Sequence, residues 1–499
     1  MGLKKPDIDA DAAGNEILTN AQMAEADRLT IEGGTPGYDL MTVAGQAVAN
    51  IVHEFYPHHA VLVLCGPGNN GGDGFVAAMF LQGLGHQVTV MSLVPGWKIK
   101  GDAKKAKKDW GGKALGFKNL PEMPEETVVV DALFGTGLSK PLQPPVTDIL
   151  DVVKAKGWPV VAVDIPSGVN GDTAEVDPHT LEAMQTVTFF RKKYGHVLMP
   201  GAGNCGYVSV HDIGIPGNVL EKTGYGLIEN EPDLWREKLP QPKKGNHKYS
   251  RGHLVILGGN RMTGAARMAS EAAMRIGAGL CTIVADKEAA NVYQRAAAHV
   301  LYEELAGFKD FASHIADKRR NVMLLGPGAG LDDVAGLRQA VLAALETGKA
   351  VVLDADALTC FADEPEVLYK ALHDKCVLTP HEGEFAKLFP ALSGSKLEKT
   401  EEAAHITGAV VLLKGADTVI AQEGRTSVVN THATPWLATA GAGDVLAGII
   451  GGLLAQNMPV FEAACAGSWI HGEAGERKGP GLVAPDIIEE VPSVLRDFA

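Results

Sequence analysis

Cysteine is scarce in this chain. Six residues (Cys65, Cys205, Cys281, Cys360, Cys376 and Cys465) are scattered through 499 positions, mostly inside apolar runs, and no two have Cys-x-x-Cys spacing. A disulfide framework and a thiolate zinc site are thereby excluded, and reduced, buried thiols are expected. Long apolar runs are missing as well. The most apolar helix-length stretch, Val445–Ala455, is glycine-broken and falls short of the ~20 residues that a bilayer span needs. Met1–Glu16 lacks the apolar core of a secretory signal. Positive charge is in deficit, 45 Lys+Arg against 60 Asp+Glu for a net −15, which argues against nucleic acid as a partner. The one basic run, Lys104–Lys108, reads as a solvated helix face. No repeat of solenoid length is visible. Together these absences predict a cytoplasmic protein with neither a membrane nor a nucleic-acid partner.

Glycine is what the chain has in excess. Its 59 glycines are about one residue in eight, against a usual ~7%. Many follow β-branched runs, where a tight turn lets backbone N–H groups approach a ligand. With 46% hydrophobic residues the chain can bury sizeable cores, and its length fits two large α/β domains. Short buried-strand runs alternate with helical stretches, the pattern of a parallel sheet covered on both faces. In the first half the runs are Val61–Cys65, Val88–Ser92, Thr127–Asp131, Val160–Asp164 and Thr186–Phe190, with helical periodicity at Ala21–Ile31, Leu40–Phe55 and Phe75–Leu84. In the second they are Leu254–Leu257, Cys281–Ala285, Val322–Leu325, Val351–Asp354, Val377–Thr379 and Val410–Leu413, with helices at Ala265–Ile276, Asp444–Ala455 and Phe461–Arg477. Between them Glu229–Asn246 is polar and punctuated by Pro232, Pro240 and Pro242. It reads as a linker, giving boundaries of 1–228, 229–245 and 246–499.

Strand Val61–Cys65 runs into Gly66-Pro67-Gly68-Asn69-Asn70-Gly71-Gly72-Asp73-Gly74, five glycines in nine residues before a helix. This is either a ligand cradle at a sheet's carboxyl edge or a plain tight turn. The dinucleotide fingerprint Gly-x-Gly-x-x-Gly is not cleanly met. Two more strand ends carry acids beside glycine turns, Asp131 before Gly135-Thr136-Gly137 and Asp164 before Ile165-Pro166-Ser167-Gly168. Three carboxylates on one sheet edge suggest a site rather than helix caps.

These motifs, with Thr188-Phe189, Lys193-Tyr194-Gly195-His196 and Asp212-Ile213-Gly214-Ile215-Pro216, resemble the NAD(P)HX epimerase family over nearly all of residues 15–225. NAD(P)HX is NAD(P)H hydrated at C6 of the nicotinamide ring, and the family interconverts its R and S forms. The resemblance implies a Rossmann-like three-layer αβα domain. It also implies a potassium ion held by Asn70, Asp131 and Ser167, oxygen donors suited to a hard cation. Substrate contacts would come from Asn69, Asn70, Gly71, Gly72 and Asp73, and from Gly135, Thr136, Gly137, Leu138, Ser139, Lys140 and Pro141. Asp164 is the expected catalytic group, shuttling a proton or steadying a cationic ring at C6. Lys193 is either a phosphate partner or an exposed member of Arg191-Lys192-Lys193. Thr42-Val43 replaces residues that are usually charged or amide in the family, in a helix taken as peripheral to the site.

In the second half Leu437-Ala438-Thr439-Ala440-Gly441-Ala442-Gly443-Asp444 opens a helix. Gly-x-Gly-Asp there aims backbone N–H groups and the positive dipole end at an anion, with a carboxylate alongside. That pairing suits phosphoryl transfer to a hydroxyl. It resembles ribokinase-like folds, again αβα. Lys414-Gly415-Ala416-Asp417-Thr418, Gly326-Pro327-Gly328, Thr379-Pro380-His381-Glu382-Gly383-Glu384 and Met262-Thr263-Gly264-Ala265 narrow the likeness to the ADP/ATP-dependent NAD(P)HX dehydratase family, over roughly residues 246–497. Sugar kinases carry an acid where this chain has Ala438. By resemblance Asp444 is the base, and Gly441, Ala442 and Gly443 form an anion hole. Lys414, Gly415, Ala416, Asp417, Thr418 and Gly443 would hold the nucleotide, while Ala265, Gly328, His381 and Asp444 would contact the S form. Magnesium is expected with ADP or ATP.

Two such domains on one chain imply a bifunctional repair enzyme, in which epimerisation lets both isomers drain through one S-specific elimination. A homo-oligomer is expected by analogy. Three other readings stay open: a vitamin or sugar kinase in the second half, a non-catalytic binding module in the first, or two purely structural domains.

Overall fold

The computed structural model describes residues 14–138 and 140–498. They divide into two compact units between Leu227 and Ile228. Most of Met1–Glu16, and Ser139, lie outside the described residues.

The first unit is built on seven parallel strands: β1 (Ala60–Cys65), β2 (Val88–Ser92), β3 (Leu115–Gly116), β4 (Thr127–Ala132), β5 (Val160–Val163), β6 (Gln185–Phe189) and β7 (Tyr207–His211). Their order is β3-β2-β1-β4-β5-β6-β7, so the chain builds outward from β1 in one direction and then returns to β4. Side chains alternate across the sheet. Val61, Val63 and Cys65 join a core beneath the helices Gly37–Phe55 and Asn69–Gly83, while Leu62 and Leu64 join the core beneath Val146–Lys156. Both faces being covered, the strands need no polar alternation, which is why they read as unbroken apolar runs.

At the β1/β4 switch point the backbones close in. A Cβ on Gly66 would lie 1.7 Å from the Leu133 carbonyl oxygen. The glycine-rich stretch is not a loop, as expected, but mostly helix. The helix expected from Phe75 starts at Asn69, and Gly71 and Gly74 let it lie against Gly66 and Ala132. Other bounds shift by one to three residues. β5 and β6 stop one residue early because Asp164 and Phe190 turn to φ 64° and 61°. Non-glycine residues hold that left-handed region only where their surroundings enforce it.

The second unit is built on β8 (His253–Leu257), β9 (Leu280–Asp286), β10 (Leu301–Leu305), β11 (Val322–Leu325), β12 (Ala350–Leu353), β13 (Cys376–Leu378), β14 (Val410–Leu413), β15 (Thr418–Ala421) and β16 (Ser427–Asn430). The order β10-β9-β8-β11-β12-β13-β14 is parallel, and β15 and β16 add antiparallel edges that the sequence reading did not foresee. Leu254 and Ile256 face one core, Val255 and Leu257 the other. The stretch expected as a linker is in part core. Trp235, 1% exposed, packs on Trp469 and Phe498 and donates its indole N–H to Asn230, whose amide reaches Asn430 and the Cys465 carbonyl. Exposure is continuous over residues 241–250. Among the described residues no helix is long and apolar enough to cross a membrane.

Helix Ala442–Ala455 crosses helix Thr263–Arg275 backbone to backbone, since Cβ atoms on Gly448 and Gly452 would lie 2.2 Å from the Ala269 oxygen and 2.3 Å from Ile276 Cγ2. Gly448→Ala gains roughly 1 kcal/mol of helix propensity but wedges the pair apart. The expected net is a loss of about 1–2 kcal/mol, read by thermal or urea denaturation.

Candidate active sites

Beyond the carboxyl ends of β1, β4 and β5 the first unit holds a cavity of about 850 Å³. Open α/β sheets bind ligands at such a switch point. Asn69, Asn70, Asp73, Gly135, Thr136, Gly137, Leu138, Lys140, Pro141 and Asp164 all line it. Gly71 and Gly72 do not. They are buried in helix packing, Gly72 against Met41. The helix taken as peripheral contributes Leu40, Met41 and Ala44 to the cavity wall, a correction to that expectation. The departing residues themselves point elsewhere: Thr42 bonds back to the Tyr38 carbonyl and Val43 is exposed.

Asp164 is the focus of the cavity's polar wall. Its Oδ1 accepts the Lys193 ammonium at 2.6 Å and the Thr188 hydroxyl at 3.1 Å, and its Oδ2 accepts the Thr136 N–H at 3.3 Å. Lys193 is thus neither exposed nor free for a phosphate. It is 1% exposed, and its ammonium also donates to Thr188 and the Phe189 carbonyl. The cause is a long-range pairing: Lys193 stands in register with the fully buried Leu18 in a two-residue parallel ladder, so both face inward. His196 Nδ1 accepts the Lys193 backbone N–H at 2.8 Å, which leaves Nε2 to donate to the Asp164 carbonyl at 2.7 Å. This bond holds the left-handed Asp164 backbone in place.

Burial acts to raise the Asp164 carboxyl, but the Lys193 ammonium and its hydrogen bond hold it below the usual carboxylate range. Burial and then Lys193 push His196 down to about 3, so it is neutral. Asp73 is driven the other way, well above the usual range, by burial and by Asp164 and Asp27. Asp27, on helix Asn20–Glu32, also lines the cavity and escaped the sequence reading. Only its spacing from Met23 and Ile31, one turn on either side, could have flagged it.

Asp131 and Ser167 meet behind this wall. Asp131 Oδ1 accepts the Ser167 hydroxyl at 2.7 Å, and Oδ2 accepts its N–H at 2.8 Å. The Ser167 hydroxyl also receives the Phe134 N–H. Burial raises the Asp131 carboxyl above its usual range, with the Ser167 bonds opposing. Asn70 is anomalous: its amide oxygen and nitrogen are both buried and have no hydrogen-bond partner. Such orphaned atoms call for a missing partner. A Cβ on Gly135 would sit 3.3 Å from that oxygen and 2.9 Å from Asp164 Oδ2, so glycine keeps the space between them open.

In the second unit the same edge of the sheet is used. A Cβ on Gly259, after β8, would lie 1.7 Å from the Gly328 carbonyl oxygen, after β11. Gly328 has φ 64° and abuts Met262 and Ala265, so two predicted contacts come together. Asp444 stands in the first turn of helix Ala442–Ala455, behind Gly441 at φ 89°. Burial, with Asp354 adding to it and Lys414 opposing, pushes Asp444 up to about 6. Lys414 donates to Asp354 at 2.8 Å, and its ammonium lies 3.4 Å from where a Gly443 Cβ would be. A fixed cation therefore faces the helix N-terminus. In the sequence Asp354 is marked only as a strand end. Like Asp164 it follows directly on a strand, and the next residue, Ala355, has φ 47°.

The remaining predicted residues sit as follows. Gly415 and Ala416 are exposed, and Gly415 is closed onto Thr418 through its hydroxyl. The Asp417 carboxylate is buried against Lys396 at 2.6 Å, so its side chain serves the loop. His381 caps its own helix, Nδ1 accepting from Gly383 and Glu384. His471, buried and held down at about 4 chiefly by burial, bonds the Ala442 carbonyl at 3.0 Å and anchors the helix start. Among the described residues no three His, Cys, Asp or Glu side chains form a metal-binding group.

Two family profiles match the chain, NAD(P)H-hydrate dehydratase over residues 253–492 and YjeF-related protein N-terminus over 37–195. The bifunctional NAD(P)H-hydrate repair enzyme Nnr of Coxiella burnetii is 33% identical across 94% of this chain and 97% of its own. The chain belongs to the bifunctional NAD(P)H-hydrate repair enzymes. As a member of this family it has NAD(P)H-hydrate epimerase and NAD(P)H-hydrate dehydratase activities. Solved structures similar to it include a ribokinase-like superfamily protein from Enterococcus faecalis (26% identity, TM-score 0.49, covering 55% of this chain and 97% of that one). Another is an ADP/ATP-dependent NAD(P)H-hydrate dehydratase from Bacillus subtilis co-crystallized with ATP/Mg²⁺ (27% identity, TM-score 0.47, covering 54% and 98%).

A repair enzyme of this kind permits a test of the first cavity. Gly135 is not in the left-handed region, so alanine there costs no backbone strain, yet its methyl fills the gap between Asn70 and Asp164. Gly135→Ala is expected to slow R/S interconversion by roughly 10–100-fold. Dehydration of the S isomer should be unchanged, as read by isomer-resolved chromatography.

Proposed function

We propose that residues 1–228 carry the epimerase, with its site in the β1/β4 cavity, and residues 246–499 carry the dehydratase, with its site at Gly441–Asp444. The observation that carries this reading is the pair of opposed carboxylates. Asp164 is held ionised by Lys193, and Asp444 is raised to about 6 beside a helix N-terminus. The first suits a site that faces a developing ring cation, the second a base at working pH. Loss of the C6 oxygen leaves positive charge shared with the ring nitrogen, and the Asp164 carboxylate stabilises it. Asn69, Asn70 and Asp73, with Gly135–Leu138, Lys140 and Pro141, hold the rest of the substrate.

Potassium fits the first unit. The unpartnered Asn70 oxygen, the Asp131 carboxylate and the Ser167 hydroxyl are the hard donors that a weakly hydrated cation takes. Bound there, it would supply positive charge behind the Phe134–Gly135 turn.

In the second unit Asp444 takes the proton of the C6 hydroxyl as that oxygen receives a phosphoryl group from ADP or ATP. The Gly441 and Gly443 N–H groups and the Lys414 ammonium face the phosphoryl oxygens, while the Ala442 N–H, expected in the anion hole, is given to the Thr439 carbonyl. Phosphate then leaves C6, assisted by the ring nitrogen, and loss of the C5 proton restores the dihydropyridine. Magnesium would come with the nucleotide, since it keeps few protein ligands in such sites. Ala265, Gly328 and His381 bound the substrate side, and Lys414–Thr418 the nucleotide side. Six free, buried cysteines support a reducing, cytoplasmic setting.

The test is regeneration of dihydronicotinamide absorbance from a mixed R/S pool with magnesium and either nucleotide, in potassium or lithium buffer. Full regeneration in potassium, slowed at the R fraction in lithium, is expected. Regeneration without nucleotide would overturn the phosphoryl route. With S isomer alone, kcat/KM should fall about tenfold per unit as pH drops below about 6, because Asp444 must be deprotonated to act. Asp444→Asn should remove that limb along with ~10²–10⁴ of the rate.

A further inference from the structure

Helix Asn20–Glu32 turns one stripe to the cavity, Met23, Asp27 and Ile31, four residues apart, with Ala24 beside it. Asp27 is the one charged side chain of that stripe. The helix's other charges point outward, Arg28 joining Glu25 and Glu32 in exposed pairs. An acid in an otherwise apolar, ligand-facing stripe is costly unless it has work to do. Asp27 lies outside the 37–195 stretch matched by the family profile.

Asp164, for its part, is poorly placed to carry a proton. Both of its oxygens already receive donors, one from an ammonium, and the pair is locked by Thr188 and Thr136. Among the described residues no hydrogen bond reaches the Asp27 carboxyl. The charged groups that face Asp27 are Lys193 and Asp164 at the cavity floor and Asp73 on helix Asn69–Gly83; Asp102 and Lys140 also line the cavity. One ammonium among three carboxylates leaves room for a proton on the unpaired ones.

We propose that Asp27 is the proton-carrying catalytic residue of the epimerase, while Asp164, fixed by Lys193, supplies only the negative charge that faces the ring. This rests on the assignment of the epimerase to this cavity. In the step proposed, the Asp27 carboxylic proton passes to the C6 hydroxyl as the C6–O bond breaks and water leaves. The ring nitrogen's lone pair forms the N1=C6 bond, and Asp164 faces the resulting cation. Water then adds to the opposite face of C6, and the proton it releases returns through cavity water to the Asp27 carboxylate. No atom or electron is gained or lost overall. Burial, opposed by Lys193 and reinforced by Asp164, pushes Asp27 up to about 6, where it can both give and accept a proton near neutral pH.

The experiment compares Asp27→Asn, Asp27→Glu and Asp164→Asn in the full-length chain. R/S interconversion is followed by isomer-resolved chromatography across pH, with the thermal unfolding transition of each variant as the control for folding. Asp27→Asn is expected to lower epimerase kcat by ~10²–10⁴ with KM changed less than about threefold, and to abolish the pH dependence near 6. Asp27→Glu should recover part of the rate and of that pH dependence. If Asp164→Asn abolishes interconversion but Asp27→Asn keeps kcat within about threefold of wild type, Asp27 is not the proton carrier and the cavity assignment stands. If neither variant slows interconversion, the cavity assignment itself fails. A fall in KM-linked binding alone for Asp27→Asn would make it a structural wall residue and overturn the proposal.

Discussion

Both units depend on strand-end loops touching backbone to backbone where no Cβ can fit. Gly66 meets the Leu133 carbonyl, Gly259 meets that of Gly328, and Gly326 meets that of Asp354, each at 1.7 Å from an imagined Cβ. These contacts are made of the one residue that can enter them. They draw the loops after neighbouring strands into one rim, so acids from separate strands come within electrostatic reach of each other. In the first unit the rim brings Asp73 and Asp164 to one cavity and sets Asp131 behind its wall. In the second it joins Ala265 to Gly328 and sets Asp354 and Lys414 beside Asp444.

Charge is then managed differently on the two rims. The first places an ammonium, Lys193, inside the protein and spends all three of its donors on Asp164, Thr188 and the Phe189 carbonyl. A buried pair of this kind fixes geometry more than it stabilises the fold, and removing one partner strands the other. The second leaves its acid, Asp444, without a direct ammonium and lets burial raise it. A carboxylate kept ionised and a carboxyl poised near neutrality are opposite solutions. They match a site that must face positive charge and a site that must take a proton.

Much of this was legible in the chain. An acid directly after an apolar β-branched run marks a sheet's carboxyl edge, which is how Asp131 and Asp164 stood out, and Gly-x-Gly-Asp marked the second rim. What escaped depends on contacts that the sequence does not print. Lys193 sits in a basic triplet that reads as solvated, and only its ladder with Leu18 turns it inward. Asp27 is one of several charges on an amphipathic helix, set apart from Glu25 and Glu32 only by its i ± 4 spacing from Met23 and Ile31. Lys414 and Asp354 are 60 residues apart. The glycines of Asn69–Gly74 read as a loop because glycine is a poor helix former, yet close helix-to-sheet packing overrides that preference.

The most direct test of two separate sites on one substrate pool is an isomer-resolved time course of the Asp164→Asn and Asp444→Asn chains. Each is supplied with R isomer, magnesium and nucleotide, and the two are then mixed. Apart, the first should leave the R isomer untouched and the second should stall at an R/S mixture. Mixed, they should regenerate NAD(P)H together. Regeneration by either variant alone at the wild-type rate would contradict the division of labour between the two rims.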